Sequence, residues 1–561
     1  MANNNSIPIE QKLGRLRRDS EERAAKRLAE EIGYPYLDLS KAAIALEAVK
    51  LVPEEKAKQA KLAAVEISVQ KLAVVTTDPR FPEVAEVIKD LELKKYKVKV
   101  FVASLSSVKQ AWAFYEYVSP EAKDITGKVG IDKQKFGEFT KRWVSIQVFK
   151  EELEGSNFAT LSTTDIFEMV LAEGLISRAS DIHFEAGEEI VRVRFRVDGL
   201  LHDVLSNLPR ISYEKLVSRI KLLSGLKINV RNEPQDGRFT INVAGKEIEM
   251  RVSIIPSEFG ETIVMRILNP DAIKVGLKDL GLREDDLEIV KKQLGKPNGL
   301  VLNTGPTGSG KTTTLYAFLQ SLSSSETKII TIEDPIEYRL EGIEQTQVDP
   351  SAQYTFAKGL RAIVRQDPDV ILVGEVRDLE TAEIAMQAAL TGHVVFSTLH
   401  TNDAIGAVPR LVDLGVKTPT IGPALSLVIA QRLVRRLCDK CKKEKHLAAE
   451  ELNKIKELIE KMPERVNREK YDLSAGRTIY EVVGCNECNG FGYKGRIGIF
   501  EFLEAGAEFE EIILKEASEV TLRKFAISQG MVTMQEDGIL KVLDGITTFD
   551  EVEKVTGLIG V

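Results

Sequence analysis

The chain has 561 residues, which is too many for one hydrophobic core, so two to four domains are expected. With 43% hydrophobic and 29% charged residues, its composition excludes a disordered, collagen-like or disulfide-stapled chain. The net charge of -8 argues against a dedicated duplex-binding protein, which would be basic.

Helical and strand patterns alternate in the first part of the chain. Charged amphipathic helices are predicted over 21–32 and 81–95, and short β-branched runs at 72–75 and 98–103 are predicted strands. Together these segments predict a small α/β domain over 1–118.

Residues 119–158 are polar, contain Gly and Pro breakers, and are predicted to form a linker with a little helix. A second domain is predicted over 159–275. Its strands alternate charged and apolar residues, as in a sheet with one solvent-exposed face, and arginines are frequent on them. The predicted helices are 164–177 and 213–223, and the predicted strands are 190–197, 239–243, 247–254 and 261–268.

The third domain is predicted over 282–561, where short apolar strands alternate with helices, a pattern typical of a parallel sheet covered by helices on both faces. Its predicted strands are 300–303, 329–332, 370–373 and 394–397. Several short helices are predicted over 509–561. The most apolar stretch, 421–430, is far shorter than the roughly 20 residues of a membrane-spanning helix, and the N-terminus has no apolar signal core, so a cytoplasmic protein is predicted.

One motif in the third domain predicts phosphate binding. It fits the pattern GxxxxGK[ST] between a predicted strand and a predicted helix, and it reads Gly305, Pro306, Thr307, Gly308, Ser309, Gly310, Lys311, Thr312. The glycines allow backbone N–H groups to surround phosphate oxygens, Lys311 supplies a charge to the β- and γ-phosphates, and Thr312 ligates Mg²⁺. A turn that binds nothing is the alternative, and the flanking strand and helix argue against it.

Two predicted strands of this domain end in acidic residues. Glu333 follows the strand at 329–332, and Glu375 follows the strand at 370–373 and one glycine. Because ligands of open parallel sheets bind at the carboxyl ends of the strands, we expect both acids near the phosphate loop. Glu375 is the candidate to polarise the attacking water, and Glu333 could hold Mg²⁺ or the same water. Either acid alone could be a solvated loop residue, and their repeated placement favours function.

The four cysteines form two CxxC pairs, Cys438 with Cys441 and Cys485 with Cys488. Without an export signal, such pairs favour a metal over a disulfide. Four thiolates suffice for one tetrahedral Zn²⁺ and leave no position for water, so a structural zinc is predicted. A redox role for CxxC would not need the second pair.

Long motifs resemble those of the secretion ATPases of type II secretion and type IV pilus assembly. Segments similar to the Walker A motif, Asp box, atypical Walker B motif and His box of that family are 305–317, 331–338, 355–378 and 391–404. Further segments similar to family signatures are 177–185, 195–199, 234–238 and 484–501. The resemblance extends from about residue 160 to the end of the chain.

This resemblance implies a homohexameric ATPase with a RecA-like C-terminal domain, two N-terminal domains and a tetracysteine insert over 436–500. It implies work at the cytoplasmic face of the inner membrane on a platform protein, with a cytoplasmic-ring membrane adaptor as a further partner.

The resemblance also assigns roles to residues. Glu375 is the catalytic acid of the Walker B strand, Glu333 assists from the Asp box, and His400 senses the γ-phosphate. Arg251 and Arg266 match the arginines that the second N-terminal domain presents to the nucleotide. For any one of these arginines, a role as a solubilising residue of the sheet face remains an equal alternative.

Two positions next to these motifs stand out. Gly374 occupies the place where an ordinary Walker B strand has Asp, as it does in the family, so binding of Mg²⁺ depends more on Thr312. Asn303 stands where the family more often has an apolar residue.

The N-terminal segments 33–40 and 75–79 resemble the first N-terminal domain of the family. Some relatives bind cyclic di-GMP there through paired RLGxxL-type motifs. Only 12–17 comes close to such a motif, with Arg17 at the final leucine position, so cyclic di-GMP binding is not expected. A docking domain for an inner-membrane partner is favoured.

Three other functions remain open. A pilus retraction motor or DNA-uptake motor belongs to the same superfamily, although retraction motors typically lack both the first N-terminal domain and the tetracysteine insert. A hexameric nucleic-acid translocase agrees poorly with the acidic composition and the lack of a stacking-aromatic platform, so no nucleic acid partner is expected. A non-catalytic scaffold is opposed by the intact phosphate-binding and acidic residues. The sequence does not separate a pilus motor from a type II secretion motor.

Overall fold

The structure is a computed structural model. It describes residues 9–39, 42, 44–117, 128–158, 160–273, 275–447, 449–471 and 478–559, without the side chains of 9–16, 272–273 and 449. The side chains of most of the 12–17 segment therefore lie outside the described part. Contacts divide the chain into two units. The first comprises Met1–Trp143, Phe149–Val197 and Leu201–Ile267, and the second comprises Val144–Val148, Asp198–Leu200 and Leu268–Val561.

Within its described residues, the first domain has a three-stranded sheet and five α-helices. In chain order these are α1 Ile9–Ile32, α2 Leu46–Val49, α3 Glu54–Gln59, β1 Leu62–Ser68, β2 Lys71–Thr76, α4 Pro82–Leu93, β3 Lys97–Val102 and α5 Leu105–Trp112. β2 lies in the centre, antiparallel to β1 and parallel to β3. The predicted helix at 81–95 and both predicted strands are confirmed. β1 was not predicted, since its two alanines are weak strand formers.

The second domain is built on a seven-stranded sheet of order β4-β8-β9-β10-β5-β6-β7. Its elements are β4 Lys128–Ile131, α6 Lys133–Arg142, α7 Ile146–Glu154, α8 Thr163–Ile176, β5 Asp181–Ala186, β6 Ile190–Val197, β7 Leu200–Pro209, α9 Arg210–Leu223, β8 Gln235–Val243, β9 Lys246–Ser257 and β10 Gly260–Leu268. Part of the segment predicted as a linker, 119–158, instead belongs to this sheet, because β4 pairs with β8 and adds a strand. A strand of four residues is too short for its alternation to be distinguished from a loop.

The second unit contains another seven-stranded sheet, of order β13-β12-β14-β15-β11-β16-β19. Its elements are α10 Glu284–Leu294, β11 Gly299–Thr304, α11 Lys311–Leu322, β12 Ile329–Glu333, β13 Glu344–Gln347, α12 Phe356–Val364, β14 Val370–Val373, α13 Leu379–Leu390, β15 Val394–Leu399, α14 Ala407–Asp413, α15 Thr418–Ala424, β16 Leu425–Leu437, β17 Lys443–His446, α16 Ala449–Lys461, β18 Thr478–Glu481, β19 Tyr493–Glu504, α17 Ala507–Lys515, α18 Glu519–Ser528, α19 Met534–Leu543 and α20 Phe549–Thr556. Neighbouring strands of this sheet are parallel, except that β16 and β19 are antiparallel to each other.

Helices cover this sheet on both faces. Leu300 and Leu302 of β11 belong to a core cluster with residues of α12, α13 and α14, whereas Val301 belongs to a second cluster with residues of α11. The predicted three-layer arrangement and its four central strands are confirmed, and so is the helical tail. The antiparallel strands β16 and β19 were not predicted, since a continuous apolar run does not distinguish a buried strand from a buried helix. In the described ranges, no helix has the length and apolar character needed to cross a membrane.

Candidate nucleotide site and metal centre

The GxxxxGK[ST] motif forms a loop between the buried strand β11 and the N-terminus of α11. Two of its glycines are required by geometry. Gly305 has φ +149°, and a Cβ there would lie 2.6 Å from the carbonyl oxygen of Gln431. Gly310 has φ +90°, and a Cβ there would lie 2.8 Å from Nε2 of Gln431. The loop therefore keeps its shape only because glycine occupies both positions.

Buried polar groups support this loop from below. Asn303 Nδ2 donates to Oε1 of Gln431 at 3.0 Å, and Thr314 Oγ1 donates to the same oxygen at 2.8 Å. Gln431 on β16 thus joins the strand before the loop to the helix after it. This arrangement explains why a polar residue, Asn303, lies near the end of the buried strand: it has a buried partner on the neighbouring strand.

Lys311 lies across the mouth of the loop. Its Nζ donates to the carbonyl oxygens of Gly305 at 2.7 Å and Pro306 at 3.1 Å. Burial lowers the pKa of Lys311, Glu375 opposes this shift, and Arg432 adds to it. The Oγ of Ser309 is buried with no partner among the described residues, while Thr312 is exposed at the first turn of α11. These donors match what nucleotide phosphates and Mg²⁺ require.

Glu375 and His400 lie together after β14 and β15. Nε2 of His400 is 3.4 Å from Oε2 of Glu375, and Arg377 donates to the other carboxylate oxygen. Burial acts to raise the pKa of Glu375, but Arg377 and His400 outweigh it and hold the pKa below its usual value. The carboxylate is therefore charged at neutral pH and able to accept a proton or orient a water.

Glu333 is buried at the end of β12. It accepts hydrogen bonds from Tyr316 Oη, from Thr331 Oγ1 at 2.6 Å and from Gln345 Nε2 at 3.1 Å. Burial raises its pKa, and these three donors oppose the shift. Since Tyr316 belongs to α11, this carboxylate ties the helix that follows the phosphate loop to the strand of the Asp box.

The loop that carries His400 is fastened to β11, just before the phosphate loop, and to β16. Oγ1 of Thr304, the last residue of β11, accepts a hydrogen bond from the backbone N–H of Thr401 at 2.8 Å. Nη2 of Arg432 donates to the carbonyl oxygen of Asn402 at 2.8 Å. His400 is therefore held in register with the loop by its two following residues.

His393 lies at the opposite end of β15 from His400 and contacts the carbonyl oxygen of Ala388 at 2.9 Å through Nδ1. The two histidines consequently do not form a metal pair. Within the described ranges, only the four cysteines form a group that could hold a metal ion.

Arg251 and Arg266 belong to the first unit, on β9 and β10. Both point to the face of the sheet opposite its buried side chains. Nε of Arg266 donates to Asp181 at 2.9 Å, and Nε of Arg251 lies 3.8 Å from Glu249. Both arginines therefore lie on the half-exposed face of the sheet, which we call the arginine-bearing face, and both have acidic partners.

The four cysteine sulfurs converge as a metal site requires. All lie within 4.8 Å of one another, and three sulfur–sulfur distances are 3.9, 3.8 and 3.8 Å. A tetrahedral zinc with Zn–S bonds of 2.3 Å needs sulfurs about 3.8 Å apart. The N–H groups of Cys485 and Gly492 donate to Cys488 Sγ, both at 3.2 Å. Burial acts to raise the pKa of that thiol, but these donors hold it below its usual value. The cluster fits zinc.

Sequence reasoning missed several residues that shape the nucleotide site. Gln431 and Arg432 interrupt the apolar run of β16, and a polar residue inside such a run is the signal that could have found them. Arg377 stands two residues after Glu375, within the Walker B segment. The sequence gives no sign of the role of Tyr316, because a tyrosine on an apolar helix face is typical of a core residue.

Comparisons with known proteins show which family and fold this chain resembles. The type II/IV secretion system protein family matches residues 160–554, and the MshEN domain matches residues 32–120. The chain is 38% identical to the type IV pilus assembly ATPase PilB of Myxococcus xanthus, over 94% of this chain and 89% of that protein. It is 43% identical to the type II secretion system ATPase E of Vibrio cholerae, over 79% of this chain and 84% of that protein. The structure of the Legionella pneumophila ATPase DotB is similar in fold, with a TM-score of 0.51, 23% identity and coverage of 71% of this chain and 96% of that one.

Proposed function

Because the chain belongs to the type II/IV secretion system protein family, we propose that it hydrolyses ATP to power the assembly of pilins or pseudopilins by a type IV pilus or type II secretion machine. The observation that carries this proposal is the geometry around the phosphate loop. Lys311 contacts two carbonyl oxygens of the loop. The charged carboxylate of Glu375, which follows β14, lies beside His400, which follows β15.

In the proposed reaction, Lys311 leaves its carbonyl partners to bind the β- and γ-phosphates, and the loop N–H groups hold their oxygens. Thr312 would hold Mg²⁺, which when bound neutralises charge on the phosphates. Glu375 orients and deprotonates the attacking water. His400, fastened to β11 and β16 through Thr401 and Asn402, responds to the γ-phosphate by its contact with Glu375.

Two further groups assist. Glu333 keeps α11 in place through Tyr316, which sets the position of the phosphate loop. Arg251 and Arg266 would neutralise charge in the transition state once the arginine-bearing face meets the nucleotide, a contribution that reaches about 10³ in rate for such arginines. Glu249 and Asp181 are their acidic partners on that sheet.

The proposed zinc is structural. Cys438, Cys441, Cys485 and Cys488 would bind it with no position left for water, so it contributes folding energy and no reaction step.

The proposed assembly is a homohexamer at the cytoplasmic face of the inner membrane, bound to a platform protein and a cytoplasmic-ring adaptor. Hydrolysis would be coupled to movement of the arginine-bearing domain against the ATPase domain. The MshEN domain match and the cysteine cluster favour an assembly motor over a retraction motor or a DNA-uptake motor of the same superfamily. No nucleic acid and no cyclic di-GMP are part of this proposal.

The test is Glu375→Gln in the full-length protein, with phosphate release and binding of ATPγS measured. Removal of the base should lower kcat by about 10³, or about 4 kcal/mol, while nucleotide binding persists. Lys311→Ala should abolish binding as well. The matched control is Glu341→Gln, an exposed acid of the same domain. Glu375→Gln with wild-type turnover, or with wild-type pilin assembly in cells, would overturn the proposal.

A further inference from the structure

The first domain carries an exposed basic surface that the ATPase mechanism does not use. We call it the basic patch, and it consists of Lys71, Lys95, Lys97 and Lys99 with the apolar Val69 and Leu93. Val69 lies in the turn between β1 and β2, Leu93 ends α4, and the lysines lie on β2, on β3 and just before β3. The N–H of Lys97 donates to the carbonyl oxygen of Gln70 at 2.6 Å, so this turn and the start of β3 are adjacent.

Two lysines of the basic patch, Lys71 and Lys97, are placed unfavourably for folding. Lys71 is in register with Lys97 on the neighbouring parallel strand, about 4.8 Å away, and like charges side by side on a sheet are destabilising. Within the described ranges none of the four lysines forms an ion pair, although the acids Glu66 and Glu92 are close in sequence. Lys99 lies over the Phe101 ring, 5.0 Å from its centre. The chain as a whole is acidic, so this local excess of positive charge is not its average composition.

The apolar residues of the patch are also unusual. Val69 has φ +54°, a conformation that β-branched residues rarely adopt, and it is 93% exposed. An asparagine or glycine would fit this turn with less strain. Leu93 is 75% exposed at the end of α4. Folding buries little of the apolar surface of either side chain, so burial does not explain these two residues. Contact with another surface explains them better.

The dipole of α4 explains the positive charge at only one of the four lysines. Lys95 follows the C-terminus of α4, where a positive charge is favourable for the helix dipole. Lys71, Lys97 and Lys99 lie on strands, where that explanation does not apply. A single exposed apolar residue is ordinary, but two beside four lysines are a combination typical of proteins that bind membrane surfaces.

We propose that the basic patch docks on an anionic phospholipid surface, with Val69 and Leu93 entering the headgroup boundary and the lysines binding lipid phosphates. This would orient the first domain toward the membrane without a spanning segment. The interaction requires neither ATP nor Glu375, so it goes beyond the proposed function and can fail independently of it.

The experiment is co-sedimentation of the full-length protein with phosphatidylcholine vesicles, with and without about 30% phosphatidylglycerol, because each lysine near an anionic surface contributes about fivefold to binding. Replacement of Lys71, Lys95, Lys97 and Lys99 by Gln should lower binding to the anionic vesicles at least tenfold. The matched control replaces four exposed lysines elsewhere by Gln, namely Lys141, Lys291, Lys454 and Lys524. It makes the same change in net charge and should bind nearly as well as wild type.

A second variant separates binding from folding. Val69→Asn should leave the melting temperature equal or higher, since Asn tolerates the left-handed conformation, while vesicle binding falls about threefold or more. ATPase activity without vesicles should be unchanged in all three variants. The proposal is overturned if wild type binds both vesicle types equally or binds neither, as for a patch that recognises an acidic protein, or if the control variant loses as much binding as the patch variant.

Discussion

The phosphate loop and the cysteine cluster lie along the same strand, β16, and they are built in opposite ways. Gln431 of this strand supports the loop, and Cys438 follows its last residue. In the loop, Ser309 Oγ has no partner among the described residues, and Lys311 is satisfied only by two carbonyl oxygens. In the cluster, the four sulfurs already face one another. A site that must release its ligand keeps unsatisfied donors, whereas a site that holds one permanently is closed by its own side chains.

The largest effect is expected at the cysteine cluster, which is the closed site of the two. Cys485→Ser should remove the zinc, which we expect at one ion per chain, and destabilise the second unit by at least about 3 kcal/mol, because binding of a structural zinc is coupled to folding. Metal analysis and differential scanning calorimetry would measure both effects. Asp439→Asn, between the ligands of the first pair, is the matched control. A stable, fully folded protein that contains no zinc would contradict a closed metal site.

At the open site, the largest effect outside the phosphate-binding residues is expected at Gln431. Gln431→Leu leaves the side chains of Asn303 and Thr314 buried without their common acceptor, which costs about 1 to 3 kcal/mol. The distorted loop should bind ATP about tenfold or more weakly, as an increase in KM that exceeds any loss of kcat. Gln320→Leu, an exposed position on α11, is the control. An unchanged KM would show that the loop does not depend on this support.

A smaller effect is expected from Tyr316→Phe. This change removes one of three donors to the buried Glu333 and should reduce the free energy of unfolding by about 1 to 2 kcal/mol. Turnover should fall only a few-fold, because Glu333 keeps Thr331 and Gln345 as partners. Thermal unfolding and steady-state kinetics measure the two consequences. A loss of turnover as large as that of Glu375→Gln would instead give Glu333 a direct part in the chemistry.

The last prediction concerns pH, and its effect on stability is no larger than that of Tyr316→Phe. Glu501 is buried and accepts from the N–H groups of Ala404, at 2.7 Å, and Met534, at 3.3 Å. Burial raises its pKa from the ordinary 4.5 to about 6, against the effect of these donors. The folded state thus holds the proton more tightly than the unfolded state. The contribution of this group to stability therefore falls as pH rises from 4.5 to 6, by about 2 kcal/mol at most.

Glu501→Gln does not titrate, so its stability relative to wild type should improve between pH 5 and pH 7.5 by about 1 to 2 kcal/mol. Thermal unfolding at both pH values measures this difference, and Glu511→Gln, at an exposed position of α17, is the control. A difference between variant and wild type that stays constant with pH would show that Glu501 is not held in its neutral form by burial.

The sequence was most informative where one local pattern determines structure. The glycines around Lys311 and the spacing of the cysteines each predicted a site that the structure brings together. Strand periodicity likewise predicted β11, β12, β14 and β15. Local patterns do not reveal long-range pairing, so the sequence did not show that Gln431 supports the loop from a strand more than a hundred residues away.

The position of Glu333 illustrates the same limit. Its place at a strand end was predicted, but its burial depends on Tyr316 from α11 and Gln345 from β13. The strand β4 was missed for a related reason, because four residues acquire their conformation from pairing with β8, far along the chain. What could not be predicted is therefore the set of contacts between elements, which depends on the assembled core.

The convergence of the two cysteine pairs has a consequence for protein engineering. Residues 442–484 leave and return to a point where the sulfurs of Cys441 and Cys488 are 3.8 Å apart. Ile455, Ile459 and Met462 of this segment pack in a core cluster with residues of α19 and α20, so a change in its length is tolerated only where the chain is exposed. A reporter domain inserted at an exposed position between α16 and β18 should therefore be tolerated, and it would place a visible label on the motor without touching the nucleotide edge of the sheet.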